Sequence, residues 1–254
     1  MIIDTHSHIY LPEFDADRNS MIMRAENERI SLILMPAVDQ ETYLSMLKTE
    51  ENFSGKCLSM MGLHPCSVKE GYKQDLKIAE EYLGKRRFVA VGETGLDFYW
   101  DKTFTKEQYE SFQTQIEWAK HYDIPIVIHS RNSTDECIST IKENQQGNLK
   151  GVFHCFSGDE RQAKEIINLG FYLGIGGVVT FKNSGLDKVM SDIDMKNVVL
   201  ETDAPYLAPV PFRGKRNECS YLKYVVEKLA EIKNVSEGDI ASVTTKNAKE
   251  LFNI

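Results

Sequence analysis

Residues 88–97 read Phe88-Val89-Ala90-Val91-Gly92-Glu93-Thr94-Gly95-Leu96-Asp97, an apolar run rich in β-branched side chains that stops at a carboxylate. A run of this kind suits a buried strand in a parallel sheet covered by helices. The same form recurs in Pro125-Ile126-Val127-Ile128-His129, in Gly151-Val152-Phe153-His154 and in Val198-Val199-Leu200-Glu201-Thr202-Asp203. Eight apolar runs can be marked, at residues 2–5, 32–38, 57–63, 88–92, 125–129, 152–154, 171–174 and 198–201. Amphipathic stretches such as residues 107–122, 133–144 and 160–169 lie between them. A Pro-rich loop at 204–212 follows the eighth run, and two helical stretches, 221–233 and 236–252, are expected to complete an outer ring. Alternating strands and helices give an α/β fold, and the 254 residues are close to the ~250 typical of a (β/α)8 TIM barrel. The expectation is one such barrel as a single domain over residues 1–254. An open doubly wound sheet is the competing topology, and eight strands favour closure.

The runs end in residues with donor atoms. His6 and His8 stand two apart after the first run, and side chains that alternate along a strand put both on one side. His129 and His154 each terminate a strongly apolar strand. A single histidine there would be a core residue with satisfied ring nitrogens. Four of the chain's six histidines placed this way point to metal ligation instead, since burying an imidazole without partners is unfavourable. Glu93 and Asp203 bring carboxylates to the same rim, where crowded anions repel unless cations sit between them. A carboxylate has two oxygens and can bridge two ions, so Glu93, on a central strand, is the candidate bridge and Asp203 the candidate proton acceptor.

Composition narrows the classes. A net charge of −8 opposes a protein that coats a polyanion, although it leaves room for a local basic patch. The cysteines, Cys57, Cys66, Cys137, Cys155 and Cys219, are five in number with no Cys-x-x-Cys pair, which fits reduced thiols. The N-terminal residues lack the basic and apolar regions of a signal peptide, and no apolar run reaches the roughly 18 residues of a membrane helix. A cytoplasmic monomer or small homo-oligomer without membrane contact is expected.

Taken in order, Asp4-Thr5-His6-Ser7-His8, Gly62-Leu63-His64-Pro65, Gly92-Glu93-Thr94-Gly95-Leu96-Asp97, Ile128-His129-Ser130-Arg131, His154-Cys155-Phe156-Ser157-Gly158, Glu201-Thr202-Asp203-Ala204-Pro205-Tyr206-Leu207 and Arg213-Gly214-Lys215-Arg216-Asn217-Glu218 resemble the motifs of the TatD family of metal-dependent deoxyribonucleases. The resemblance implies that His6, His8, Glu93 and Asp203 hold one divalent ion and that Glu93, His129 and His154 hold another. It also implies hydrolysis of DNA phosphodiester bonds, often from a 3′ end, while the local cationic run of Arg213, Lys215 and Arg216 suits a few phosphates of a short single strand. In the family pattern a proline usually follows the Asn-Glu pair; here Cys219 stands there, at the start of a helix expected to lie away from the ligands. The mixed N/O donor set suits Zn, Mn, Ni or Fe and holds Mg less tightly.

His64, at the end of the third strand, and Arg131, two residues past His129, are candidate phosphate contacts, as are Arg213, Lys215 and Arg216. Phe98, Tyr99, Trp100, Phe156 and Tyr206 lie in post-strand segments, where aromatic rings either cap the core or stack on unpaired bases; Phe98 is expected to cap. Cys155 should face away from His154 by alternation. Two other readings stay open: a related barrel hydrolase of a C–N or lactone bond, and a metal-binding scaffold without catalysis. The former commonly carries a carboxylated lysine as the bridge, where this chain has Glu93.

Overall fold

The computed structural model describes residues 1–254 and shows eight parallel strands in chain order. β1 (Ile2–Asp4), β2 (Ile30–Met35) and β3 (Cys57–Ser59) form one hydrogen-bonded run; β4 (Val91–Asp97), β5 (Ile126–Arg131), β6 (Gly151–Phe153), β7 (Tyr172–Ile175) and β8 (Val198–Leu200) form the other. Backbone bonds join the two runs on both sides. Met61 N donates to Ala90 O at 3.2 Å and Gly92 N to Met61 O at 3.0 Å between β3 and β4, while Thr5 N donates to Leu200 O at 2.9 Å between β8 and β1. Pairing all the way round leaves no edge strand exposed to a stray partner.

Helices α1 (Arg18–Asn27), α2 (Gln40–Asn52), α3 (Tyr72–Lys85), α4 (Thr105–Tyr122), α5 (Thr134–Asn144), α6 (Glu160–Asn168), α7 (Leu186–Asp192) and α8 (Leu222–Lys233) cover the strands. Local sequence sets several of their ends. Asp39 and Thr42 cap α2 reciprocally, as do Asp159 and Gln162 for α6, each pair satisfying two backbone N–H groups.

Inside the barrel, Ile3, Leu34, Met60, Ala90, Val127, Val152 and Val199 form a buried ring against which Tyr172 of β7 also packs. The last helix, α9 (Glu237–Phe252), departs from the expected outer position. Its Ala248, Leu251 and Phe252 join the inner ring and floor the barrel, because their i, i+3, i+4 spacing gives the C-terminal turns an apolar stripe. Asn247 secures this floor by donating to Val198 O at 2.7 Å. The opposite, C-terminal mouth is then the open end, where barrel active sites form. No helix is long and apolar enough to cross a membrane.

Candidate metal centre

Two residues beyond the apolar ring, alternation carries His129, His154 and Glu201 to the inner face, in register with Val127, Val152 and Val199. His6 and Glu93 follow their ring residues Ile3 and Ala90 by three, a spacing that uninterrupted alternation would turn outward. β1 ends at Asp4, so regular strand geometry no longer governs His6. For Glu93, the β4–β5 register slips between Val91 and Thr94. Both side chains consequently face the centre and are buried, Glu93 at 2% exposure.

Glu93 presents each oxygen to a different set of donors. Around Oε2 lie His6 Nε2 at 3.1 Å and His8 Nε2 at 3.5 Å; Asp203 Oδ1 completes the set at 3.7 Å from His6 and 3.5 Å from His8. Around Oε1 lie His129 Nδ1 and His154 Nε2, each at 2.8 Å, with 3.4 Å between the two nitrogens. An ion about 2.1 Å from each ligand in tetrahedral or octahedral geometry separates neighbouring donors by about 3.0–3.4 Å. Both sets fall around that spacing.

Tautomers, fixed by outer partners, sharpen the fit. Tyr10 Oη donates to Pro36 O at 2.7 Å, so at 3.0 Å it accepts from His8 Nδ1–H, leaving Nε2 with its lone pair toward the centre. His129 Nε2 donates to Asp97 Oδ2 at 2.8 Å, leaving Nδ1 as a lone pair facing Glu93 Oε1. His154 Nδ1 lies 3.4 Å from Glu201 Oε1, which also accepts the Cys155 N–H. Gly174 on β7 leaves the space that Glu201 fills. Lone pairs pointing at a carboxylate need a cation between them. Extra protons would be a poor substitute, because the His6 and His154 rings stack at 3.9 Å with planes 9° apart, and two imidazolium charges there would repel.

Without ions, protons on some of these rings take up part of that role: although burial opposes it, their carboxylate partners raise His8, His129 and His154 above the ordinary imidazole value, and the charged rings in turn hold the anions ionised. Burial acts to raise the Glu93 carboxyl, but the surrounding His154, His64 and His6, with the His129 hydrogen bond, hold it well below the usual range. Asp203 is likewise lowered: burial opposes ionisation, and the His8 bond with His154 and His6 outweighs it.

His64 has a different orientation. Its Nδ1 accepts from Cys66 N at 3.0 Å, so Nε2, 3.3 Å from Glu93 Oε1, carries the hydrogen and serves as a donor rather than a ligand. Arg131, exposed at the mouth, stacks on Tyr99 with 4.0 Å from guanidinium carbon to ring centroid. Arg213 and Lys215 are solvent-facing, Arg213 over the Phe181 ring at 4.4 Å and Lys215 at 5.8 Å from the Phe212 centroid. Arg216 does not extend that cationic run. It forks onto Asp17 at 2.7 and 2.9 Å and is unavailable to a phosphate.

Four further expectations from sequence meet the structure. Phe98 packs against the core as anticipated, while Phe156 is buried at 3% exposure and offers no face to a base. Cys155 has φ +47°, which breaks alternation after His154; burial and the nearby Asp203, Glu201 and Glu93 push its thiol well above the usual range. Cys219 does open a helical turn, but not away from the ligands. Its Sγ lies 3.4 Å from Ser7 Oγ, beside the His6-Ser7-His8 segment, because the turn before α8 packs against α1 and β2. Asp97, a carboxylate four residues after Glu93 on the same strand, orients His129, a role its motif alone does not reveal.

Fold and donor set together define a metal-dependent hydrolase on a (β/α)8 barrel. The family model described as TatD related DNase matches residues 3–253. The chain is 39% identical over 255 residues to YabD of Bacillus subtilis (strain 168), an uncharacterized metal-dependent hydrolase, covering 100% of both. It is 30% identical over 260 residues to YcfH of Escherichia coli (strain K12), another uncharacterized metal-dependent hydrolase, covering 100% of this chain and 96% of that one. The crystal structure of YjjV, a TatD homolog from Escherichia coli K12, superposes with a TM-score of 0.94 at 30% identity, covering 100% and 98%. The chain belongs to the TatD family.

Proposed function

We propose that the protein is a two-metal phosphodiesterase acting on DNA, removing nucleotides from 3′ or other single-stranded ends. His6, His8, Glu93 and Asp203 would hold one divalent ion and Glu93, His129 and His154 the second, with Mg, Mn, Zn or Ni as candidates. The observation that carries this reading is the division of Glu93: its two oxygens face two separate donor sets, each spaced for an ion. Bound there, two cations lower the pKa of water and neutralise charge on phosphoryl oxygens.

The remaining steps belong to side chains. Asp203 is more exposed than the other donors of its set, at 13% of its side chain, and stands where it can orient a water molecule and take its proton as oxygen attacks phosphorus. His64 Nε2–H donates to a non-bridging oxygen, stabilising the charge that grows there. Arg131 forks onto a neighbouring phosphate, and Arg213 with Lys215 supplies cations for a few more. No covalent enzyme intermediate is needed. Digestion of end-labelled linear and of circular single-stranded DNA, each with Mg, Mn, Zn or Ni added, tests the proposal. Rapid loss of the linear label with circles intact is expected; equal rates would remove the exonuclease assignment, and no cleavage of either would remove the nuclease.

A further inference from the structure

Tyr99 and Trp100 are 52% and 68% exposed, although the third aromatic of that segment, Phe98, is packed inward. Their rings meet edge to face at 4.9 Å and 86°. The Arg131 guanidinium lies 4.0 Å from the Tyr99 centroid and 5.2 Å from that of Trp100, and it forms no ion pair with a carboxylate. One guanidinium covers only one face of a ring, so the indole keeps an open face beside an unspent cation. An arginine left uncompensated on a chain of net charge −8 is poised for an anion.

This cluster is fastened to the catalytic mouth by a single side chain. Asp97 Oδ1 accepts from Tyr99 N at 2.9 Å and Trp100 N at 3.0 Å, while its other oxygen accepts from His129 Nε2. Phe98 N donates to Arg131 O at 2.9 Å, which ties the arginine's strand to the same turn. The aromatic pair is thereby held in fixed relation to the donor set around Glu93 Oε1. An exposed π-face next to a cationic fork matches a base and its adjoining phosphate. The base must be unpaired, since a paired one has its faces covered by neighbours in the stack.

Resting on the phosphodiesterase reading, we infer that Tyr99, Trp100 and Arg131 form a nucleobase subsite beside the metal centre, and that through it the enzyme selects single-stranded nucleic-acid ends. Trp100 grips the base by stacking, Arg131 takes the flanking phosphate, and Asp97 keeps both in register with the cleavage point.

The chain offers its own reporter. Of its two tryptophans, Trp118 is 5% exposed and hydrogen-bonded to Glu80, so a ligand that quenches indole emission acts at Trp100. Phosphorothioate-linked octathymidylate should quench wild-type emission and bind about tenfold more tightly than an abasic deoxyribose-phosphate strand of equal length. In anisotropy measurements with labelled strands, Trp100→Ala should erase most of that preference and Trp100→Phe restore most of it. Equal affinity for the two strands, or equal quenching by both, would overturn the subsite. Hydrolysis of bis(p-nitrophenyl) phosphate by the wild-type protein reads the underlying activity separately. Turnover of that diester with no base preference removes the subsite and leaves the phosphodiesterase, whereas failure to cleave both that diester and end-labelled single-stranded DNA removes the phosphodiesterase reading and the subsite with it.

Discussion

Replacing Asp97 by asparagine isolates one link in the centre. The carboxylate accepts three hydrogen bonds, two from the Tyr99 and Trp100 amides and one from His129 Nε2 at 2.8 Å. An asparagine has one oxygen, and keeping it on the two backbone amides turns its NH2 toward His129. Nε2 must then accept, the ring proton moves to Nδ1, and Nδ1–H finds Glu93 Oε1 2.8 Å away as a ready acceptor. A hydrogen bond would occupy the place of the second ion. Losing the outer partner of a ligating histidine typically weakens metal affinity or activity by 10–100-fold, about 1.4–2.7 kcal/mol. Metal titration by calorimetry, with elemental analysis of the purified variant, should show affinity at the Glu93, His129 and His154 set reduced by that factor while the His6, His8 and Asp203 set stays filled. Circular dichroism should be unchanged. Two ions bound with wild-type affinity would refute the tautomer reasoning, and parallel loss of both would mean that Asp97 supports the whole mouth rather than one histidine.

Glu93→Ala should release both ions together rather than one, since each donor set loses a ligand from the same residue; elemental analysis reporting one retained ion would contradict the bridge. His64→Ala should leave metal content intact and lower kcat by about 100–1,000-fold, the scale of a lost charge-stabilising donor, as read by steady-state kinetics on a small phosphodiester. Acid should weaken the fold through Glu218. Burial opposes its ionisation, but Arg24, at 2.7 and 2.8 Å, with Ser220 and Arg216, holds its carboxyl below the ordinary value. A lowered folded pKa contributes stability that is present above the unfolded value, about 4.3, and is lost as pH falls through the folded one. Urea midpoints measured from pH 6 to pH 3 should therefore fall less steeply in Arg24→Gln than in the wild type.

The strand-and-helix rhythm and the donors that close its strands were legible in residues such as Pro125-Ile126-Val127-Ile128-His129, because burial and alternation are local properties that one segment writes for itself. Where strand geometry stays regular, as from Val127 to His129 and from Val152 to His154, counting by twos finds the inner face. It fails at His6 and Glu93, three residues beyond Ile3 and Ala90, where β1 has ended or the β4–β5 register slips. The sequence by itself determined which elements exist and which residue types carry chemistry. Only the closed barrel decided which Glu93 oxygen faces which histidines, that His64 donates while His8 and His129 offer lone pairs, that Asp17 takes Arg216, and that α9 becomes a floor. Those outcomes depend on hydrogen bonds and packing between groups far apart along the chain, such as Asp97 with His129 or Arg216 with Asp17, and no local pattern specifies a partner that only folding brings near.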